Sequence, residues 1–202
     1  MKHIEHYLSN AKDIEIQEGM RWYSIAHGIA KKLSEKYKID IKVVCSVISA
    51  LSPRCIWETN LRDAENLFKS HCNGRKYHAV KVTTYGHNKQ KAINLLKGII
   101  NPDTCFVTPK TSNFYNNILN PESNDHITID GHSINVFFGH VGSVKAKYFT
   151  KKYYDRIAKV YMKVADKHGL KPHQLQAITW MSFKRINNIK VNWRYYQQEL
   201  PF

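Results

Sequence analysis

The chain has 202 residues, with 31 Lys and Arg against 16 Asp and Glu, a formal net charge of +15. That length supports a hydrophobic core in one domain or two interlocked lobes, and 43% hydrophobic with 12% aromatic residues excludes a largely disordered chain. No apolar run approaches the roughly 18–20 residues of a membrane span, and the first six residues lack the apolar stretch of a signal peptide. The expectation is therefore a soluble, cytoplasmic monomer whose partner is a polyanion, which the charge alone leaves open between nucleic acid, an acidic protein and a membrane surface.

The periodicity is helical almost throughout. Trp22, Ile25, Ala26, Ile29, Ala30 and Leu33 recur at steps of three and four and predict the first helix. Val43, Val44, Val47, Ile48 and Leu51 predict a more fully buried one, stopped by Pro53 because proline disfavours helix at the residue before it. Asn60, Leu61, Ala64, Leu67 and Phe68 mark a third, ending near Asn73-Gly74. Asn88 is placed to cap a fourth that carries Ala92, Leu95 and Leu96 and ends at Gly98. Lys110 to Leu119 follows, broken by Asn120-Pro121. Asp130-Gly131 then opens a helix with Ile134, Val136 and Phe137 on its apolar side. Tyr154 to Lys167 and Pro172 to Phe183 complete the set, joined through His168-Gly169-Leu170-Lys171. The expected fold class is all-α with about eight helices, and a brief strand is conceivable at Ile127–Ile129.

Cys45, Cys55, Cys72 and Cys105 are dispersed with no CxxC pair, as in a reducing compartment. Cys72 with His71 and His78 matches no structural zinc spacing, and the histidines His126, His132 and His140 point more to packing than to metal. No metal and no cofactor is expected. The charge is uneven: Lys145 to Phe202 holds 13 Lys and Arg against 3 Asp and Glu. A solvated helix face normally alternates signs, so this excess favours a binding surface.

Three polar segments interrupt the apolar helices. Leu51 to Asn60 is a turn bearing Ser52, Arg54 and Trp57, although Trp57 alone reads most simply as core. Tyr85 to Ala92 is a donor-rich helix start, where free N–H groups favour phosphate. Thr108-Pro109-Lys110-Thr111 and Ile127 to His132 form the third. Asp130 there is either an N-cap or a reactive carboxylate, and a helix N-terminus favours negative charge in both cases.

In order and spacing these segments resemble the helix-hairpin-helix DNA glycosylases of the endonuclease III superfamily, over roughly residues 43–137. Leu51-Ser52-Pro53-Arg54 with Asn60 is similar to that family's "LSAQ…N" turn, and Tyr85 with Lys91-Ala92 to its "YNSKA" helix start. Lys110-Thr111-Ser112-Asn113 is similar to "KTAN". Twenty residues after Lys110, Asp130-Gly131-His132 with Val136 is similar to "VDTH..RV". Two features depart from the pattern. Phe106-Val107-Thr108-Pro109 stands where the hairpin glycines "LPGVG" would be, and Asn135 replaces the arginine after the aspartate. The four-cysteine iron–sulfur loop of some members is also absent. Outside the matched region the chain looks most like small glycosylase-like proteins encoded by phages or used against them, a group in which Leu175-Gln176-Ala177-Ile178-Thr179-Trp180 also has counterparts.

The resemblance implies a two-lobed all-α fold with the active-site cleft between lobes. A central helical domain at 41–145 would carry the hairpin-like motif and the catalytic Asp, and a basic second lobe would form from 1–40 with 146–202. It implies a DNA glycosylase that flips out and excises a modified or damaged base of double-stranded DNA, such as glucosylated hydroxymethylcytosine in antiviral defence. Asp130 would be catalytic. Lys110 would be either an amine nucleophile with strand-cleaving lyase activity or a phosphate contact. Ser52, Arg54, Trp57, Asn60, Lys89, Lys91, Thr108, Thr111 and His132 would bind DNA, with Trp22, Tyr23, His27 and Tyr85 around the base. The alternatives are a non-catalytic DNA-binding protein on a degenerate glycosylase scaffold and an enzyme of modified-base metabolism.

Overall fold

A computed structural model describes residues 1–74 and 76–189. Among them lie nine α-helices and no strand, so the all-α expectation holds: α1 (Lys2–Ser9), α2 (Asp13–Tyr37), α3 (Ile41–Leu51), α4 (Trp57–Cys72), α5 (Gly86–Leu96), α6 (Pro109–Leu119), α7 (Gly131–Phe138), α8 (Lys151–Lys167) and α9 (Pro172–Ile186). No helix of the described residues is long and apolar enough to cross a membrane.

The chain divides into two compact units, one of Ile25–Pro121 and one of Met1–Ser24 with the chain from Glu122 onward. In the central unit α3 packs on α4, α5 and α6. Its sequence, IKVVCSVISAL, is apolar nearly all round, which suits a helix buried on most sides, and every residue from Val44 to Leu51 is buried. Asp40 starts it by accepting from the Lys42 amide at 2.8 Å. Burial pushes the Cys45 thiol up to about 12, so this cysteine is inert core.

In the terminal unit α9 packs on α1, α7 and α8. Its core includes Ile4, Ile127, Ile129, Val136, Ile157, Tyr161, Leu175 and Phe183. The first turns of α2 also lie on α9. A Cβ at Gly19 would sit only 2.7 Å from the Ile178 amide nitrogen, so glycine is required for that approach. Glu15, 1% exposed, is held by Arg185 at 2.7 Å across 170 residues of sequence. Gly139 ends α7 in the left-handed region at φ 64, and a side chain there would overlap the His3 ring.

The unit boundary differs from the expected one. Asp130 and α7 belong with the termini, because α7 buries its apolar face on α1 and α9 rather than on the central helices. Two local readings are also corrected. Residues 127–129 form no strand: the Tyr154 hydroxyl accepts from the Ile129 amide at 3.2 Å and donates to the Ile127 carbonyl at 2.6 Å. One phenol thus supplies both bonds that a neighbouring strand would have made. Asn88 does not cap α5, which starts two residues earlier with Tyr85 at the N-cap. Its amide donates instead to Thr84 Oγ1. The basic C-terminal segment is described as far as Ile189, and its last cations, Lys190 and Arg194, lie outside the described residues.

Candidate functional site

Asp130 leaves a buried extended segment and stands at the N-cap of α7. Its Oδ1 accepts two hydrogen bonds from Ser133, one from the amide at 2.8 Å and one from the hydroxyl at 2.9 Å. Among the described residues Oδ2 has no hydrogen-bond partner. The capping reading is therefore correct, and it occupies one oxygen only. Ser133 is 1% exposed, so both donors are fixed by the core, while Asp130 remains half-buried and reachable. Beneath it Tyr161 is fully buried. Burial pushes that phenol above its usual range, a hydrogen bond with Thr179 opposes the shift, and the charge of Asp130 adds to it. His132, half-buried, lies against Phe183 with ring centres 6.1 Å apart.

Two of the expected pocket residues share this terminal unit. Trp22 packs edge-on against Tyr23 at 4.6 Å, and Tyr23 meets His173 at 5.1 Å. Tyr23 is 3% exposed and its hydroxyl donates to Gln176 Oε1 at 3.3 Å, so it is a core residue and not an open pocket wall.

The other expected positions fall in the central unit. Here the Ser52–Trp57 turn and the start of α5 are brought together. Thr84 Oγ1 donates to the Pro53 carbonyl at 2.8 Å and accepts from Asn88 Nδ2 at 2.8 Å, a chain that ties turn to helix. Ser52 Oγ closes the turn on the Ser49 carbonyl. Arg54, exposed, adopts φ 57, a conformation that costs a residue with a Cβ roughly 1–2 kcal/mol. That turn sets its guanidinium over the Tyr85 ring at 5.3 Å, and Tyr85 in turn stacks on His87. Trp57, half-buried, packs edge-on against Phe114 with ring centres 6.2 Å apart. Asn60, expected to touch DNA, is 1% exposed and has no surface to offer a duplex.

Lys110 is the second residue of α6 and is half-buried, with no hydrogen-bond or ion-pair partner among the described residues. Thr108 and Thr111 hydrogen-bond each other at 2.6 Å at the start of that helix, and Ser49 Oγ fixes the Thr111 carbonyl at 2.7 Å. Lys89 and Lys91 each give one donor to a backbone carbonyl, of His78 and Cys105. An ammonium has three donors, so each keeps capacity for another acceptor. His27 donates from Nδ1 to the Ile118 carbonyl at 3.0 Å, a helix-tying role.

A family model described as "Family of unknown function" (DUF7178) matches residues 1–187. The chain belongs to that family. No curated protein and no solved structure matches it. The family match spans every helix of the described residues, so Asp130, Lys110 and the Arg54 turn all lie within the family's extent. Among the described residues no group of three or more His, Cys, Asp or Glu side chains is placed to hold a metal, and His71 is engaged with the Tyr77 hydroxyl.

Two of the residues that build these sites escaped the sequence reading: Ser133 and Thr84. Ser133 carried a local signal, since a hydroxyl three positions after an N-cap carboxylate is placed to return a hydrogen bond to it. Thr84 acts through a partner 31 residues away and carried none.

Proposed function

We propose that the protein is a DNA glycosylase of the helix-hairpin-helix kind that excises a modified base, with Asp130 as its catalytic carboxylate. The observation that carries this reading is the division of labour within one side chain. Oδ1 is clamped by two buried donors of Ser133, which fixes the carboxylate's orientation, and Oδ2 has no hydrogen-bond partner among the described residues. A residue used only as a cap needs no more than the first oxygen.

Cleavage of an N-glycosidic bond passes through an oxocarbenium-like sugar, by the logic of glycoside hydrolysis. The C1′–N bond breaks with its electron pair leaving on the base. Oδ2 faces the positive charge that develops at C1′ and orients the water that adds there. The water oxygen bonds to C1′ while Oδ2 takes its proton, a proton is delivered to the departing base anion so that the carboxylate is regenerated, and an abasic sugar remains. The base must first leave the stack. Arg54, exposed on a turn of positive φ and set over the Tyr85 ring, is the candidate to enter the duplex and fill the gap.

A second reading, a duplex-binding protein without chemistry, is favoured by the segment before α6. Phe106 to Pro109 contains no glycine, so no residue there has a glycine's access to positive φ. The experiment that separates the two is incubation with phage DNAs of different base chemistry followed by alkali. Strand breaks with one class of modified DNA support the glycosylase. Tight, salt-sensitive binding to every duplex with no alkali-labile sites supports the second reading.

A further inference from the structure

Helix α8 carries its charge in an unusual pattern. Tyr154, Ile157, Ala158, Tyr161, Val164 and Ala165 are buried in the terminal unit and fix the helix in place. On the opposite side Lys152, Arg156, Lys159 and Lys163 are exposed and follow steps of four, three and four, so they form one straight ridge. None of the four has an ion-pair partner among the described residues. The acids of this helix do not answer them: Asp155 is bound by Lys151 at 2.6 Å, and Asp166 stands beyond the last of the four. Lys167 is taken by Glu5.

Consecutive like charges at i,i+3 and i,i+4 destabilise a helix. A face that only needed solvation would intersperse acids. Eleven residues at 1.5 Å each spread the ridge over about 16 Å. Duplex DNA presents one negative charge per about 1.7 Å of axis, so roughly ten phosphates lie within that reach.

We propose that the Lys152–Arg156–Lys159–Lys163 ridge of α8 is a sequence-independent docking rail for the phosphate backbone of duplex DNA, separate from the residues that handle the base. The choice of duplex DNA rests on the glycosylase reading. The chemistry of the ridge also argues against an acidic lipid surface. A membrane-surface helix needs an apolar face to insert, and that of α8 is already buried in the core.

The test uses the full chain and an unmodified duplex of roughly 30 base pairs, long enough to span the ridge about sixfold. Affinity is measured by fluorescence anisotropy over a salt series. With Lys152→Gln, Arg156→Gln, Lys159→Gln and Lys163→Gln combined, the slope of log K against log salt becomes shallower by about 3–4, since each neutralised phosphate contact contributes about 0.9. The wild-type to variant affinity ratio then falls by about a hundredfold between 50 and 200 mM salt. The charge-keeping set Lys152→Arg, Lys159→Arg and Lys163→Arg retains the wild-type slope, and Lys159→Glu alone weakens binding further than Lys159→Gln. An unchanged slope in the four-Gln variant overturns the proposal. So does binding of the wild type to phosphatidylserine vesicles that is lost in that variant while the duplex slope stays the same. Because the duplex carries no excisable base, the result is independent of catalysis. Failure of Asp130 to matter for base release sinks the glycosylase reading and leaves the slope result standing.

Discussion

Tyr154→Phe removes one oxygen and leaves the ring in place, which makes its consequence calculable. That oxygen is the donor to the Ile127 carbonyl and the acceptor for the Ile129 amide. Both residues are sealed, 1% and 2% exposed, so water cannot replace the lost partner. Leaving a buried backbone donor or acceptor unsatisfied costs about 1–3 kcal/mol each, so the pair costs roughly 2–6 kcal/mol, with no cavity contribution because the ring remains. For a chain of this length about 2–4 °C of melting temperature accompanies each kcal/mol, which gives a drop of roughly 4–24 °C. Thermal melts by circular dichroism at 222 nm, with urea midpoints alongside, measure it directly. The native spectrum should be unchanged, since no helix is lost. A melting temperature within about 2 °C of wild type would refute the claim that this phenol stands in for a strand partner.

The Ser133→Ala variant keeps the amide bond to Asp130 Oδ1 and loses the hydroxyl one; base release should slow about five- to tenfold, the equivalent of one hydrogen bond, with duplex affinity unchanged. A matched loss of affinity would mean that Ser133 supports the fold and does not position the carboxylate. In the central unit, Glu65 accepts from Lys36 at 2.9 Å and from Tyr37 at 2.8 Å. Burial works against its charge, yet those bonds and the Lys69 charge together hold the carboxyl below its ordinary value of 4.5. Its folded value being depressed, its stabilisation is full above 4.5 and is lost as pH falls through the folded value. The urea midpoints of wild type and Glu65→Gln should therefore differ most near pH 7 and draw together as pH falls through the depressed folded value; a gap that does not change with pH contradicts the assignment.

The sequence made the helices legible where the cause was local. Pro53, Asn120-Pro121 and His168-Gly169 punctuate the chain at real boundaries, and the apolar steps in α3 and α8 match the buried faces. It misled where a distant partner decided the outcome. Ile127–Ile129 has the composition of a strand, but a tyrosine 25 residues onward satisfies it without a ladder. Asn88 has the chemistry of a cap, but Thr84 engages its side chain and α5 begins earlier. The same limit holds for the sites. Asp130 was legible as both cap and candidate catalyst, and the cap is what the structure shows, at Oδ1. Tyr23 and Asn60 are polar or amphipathic residues beside promising motifs, yet both are sealed in their cores, and burial of that kind depends on which helix arrives from elsewhere in the chain.

The central claim concerns one carboxylate oxygen, and one measurement bears on it most directly: single-turnover base release from a DNA that gives alkali-labile sites with the wild type, repeated with Asp130→Asn. The substituted amide keeps an oxygen for the Ser133 cap but carries no charge to face the sugar cation. Duplex affinity and melting temperature should stay near wild type while base release falls by at least about a thousandfold, the scale of losing a preorganised electrostatic group. Base release at the wild-type rate from a folded, DNA-bound Asp130→Asn protein would contradict the account.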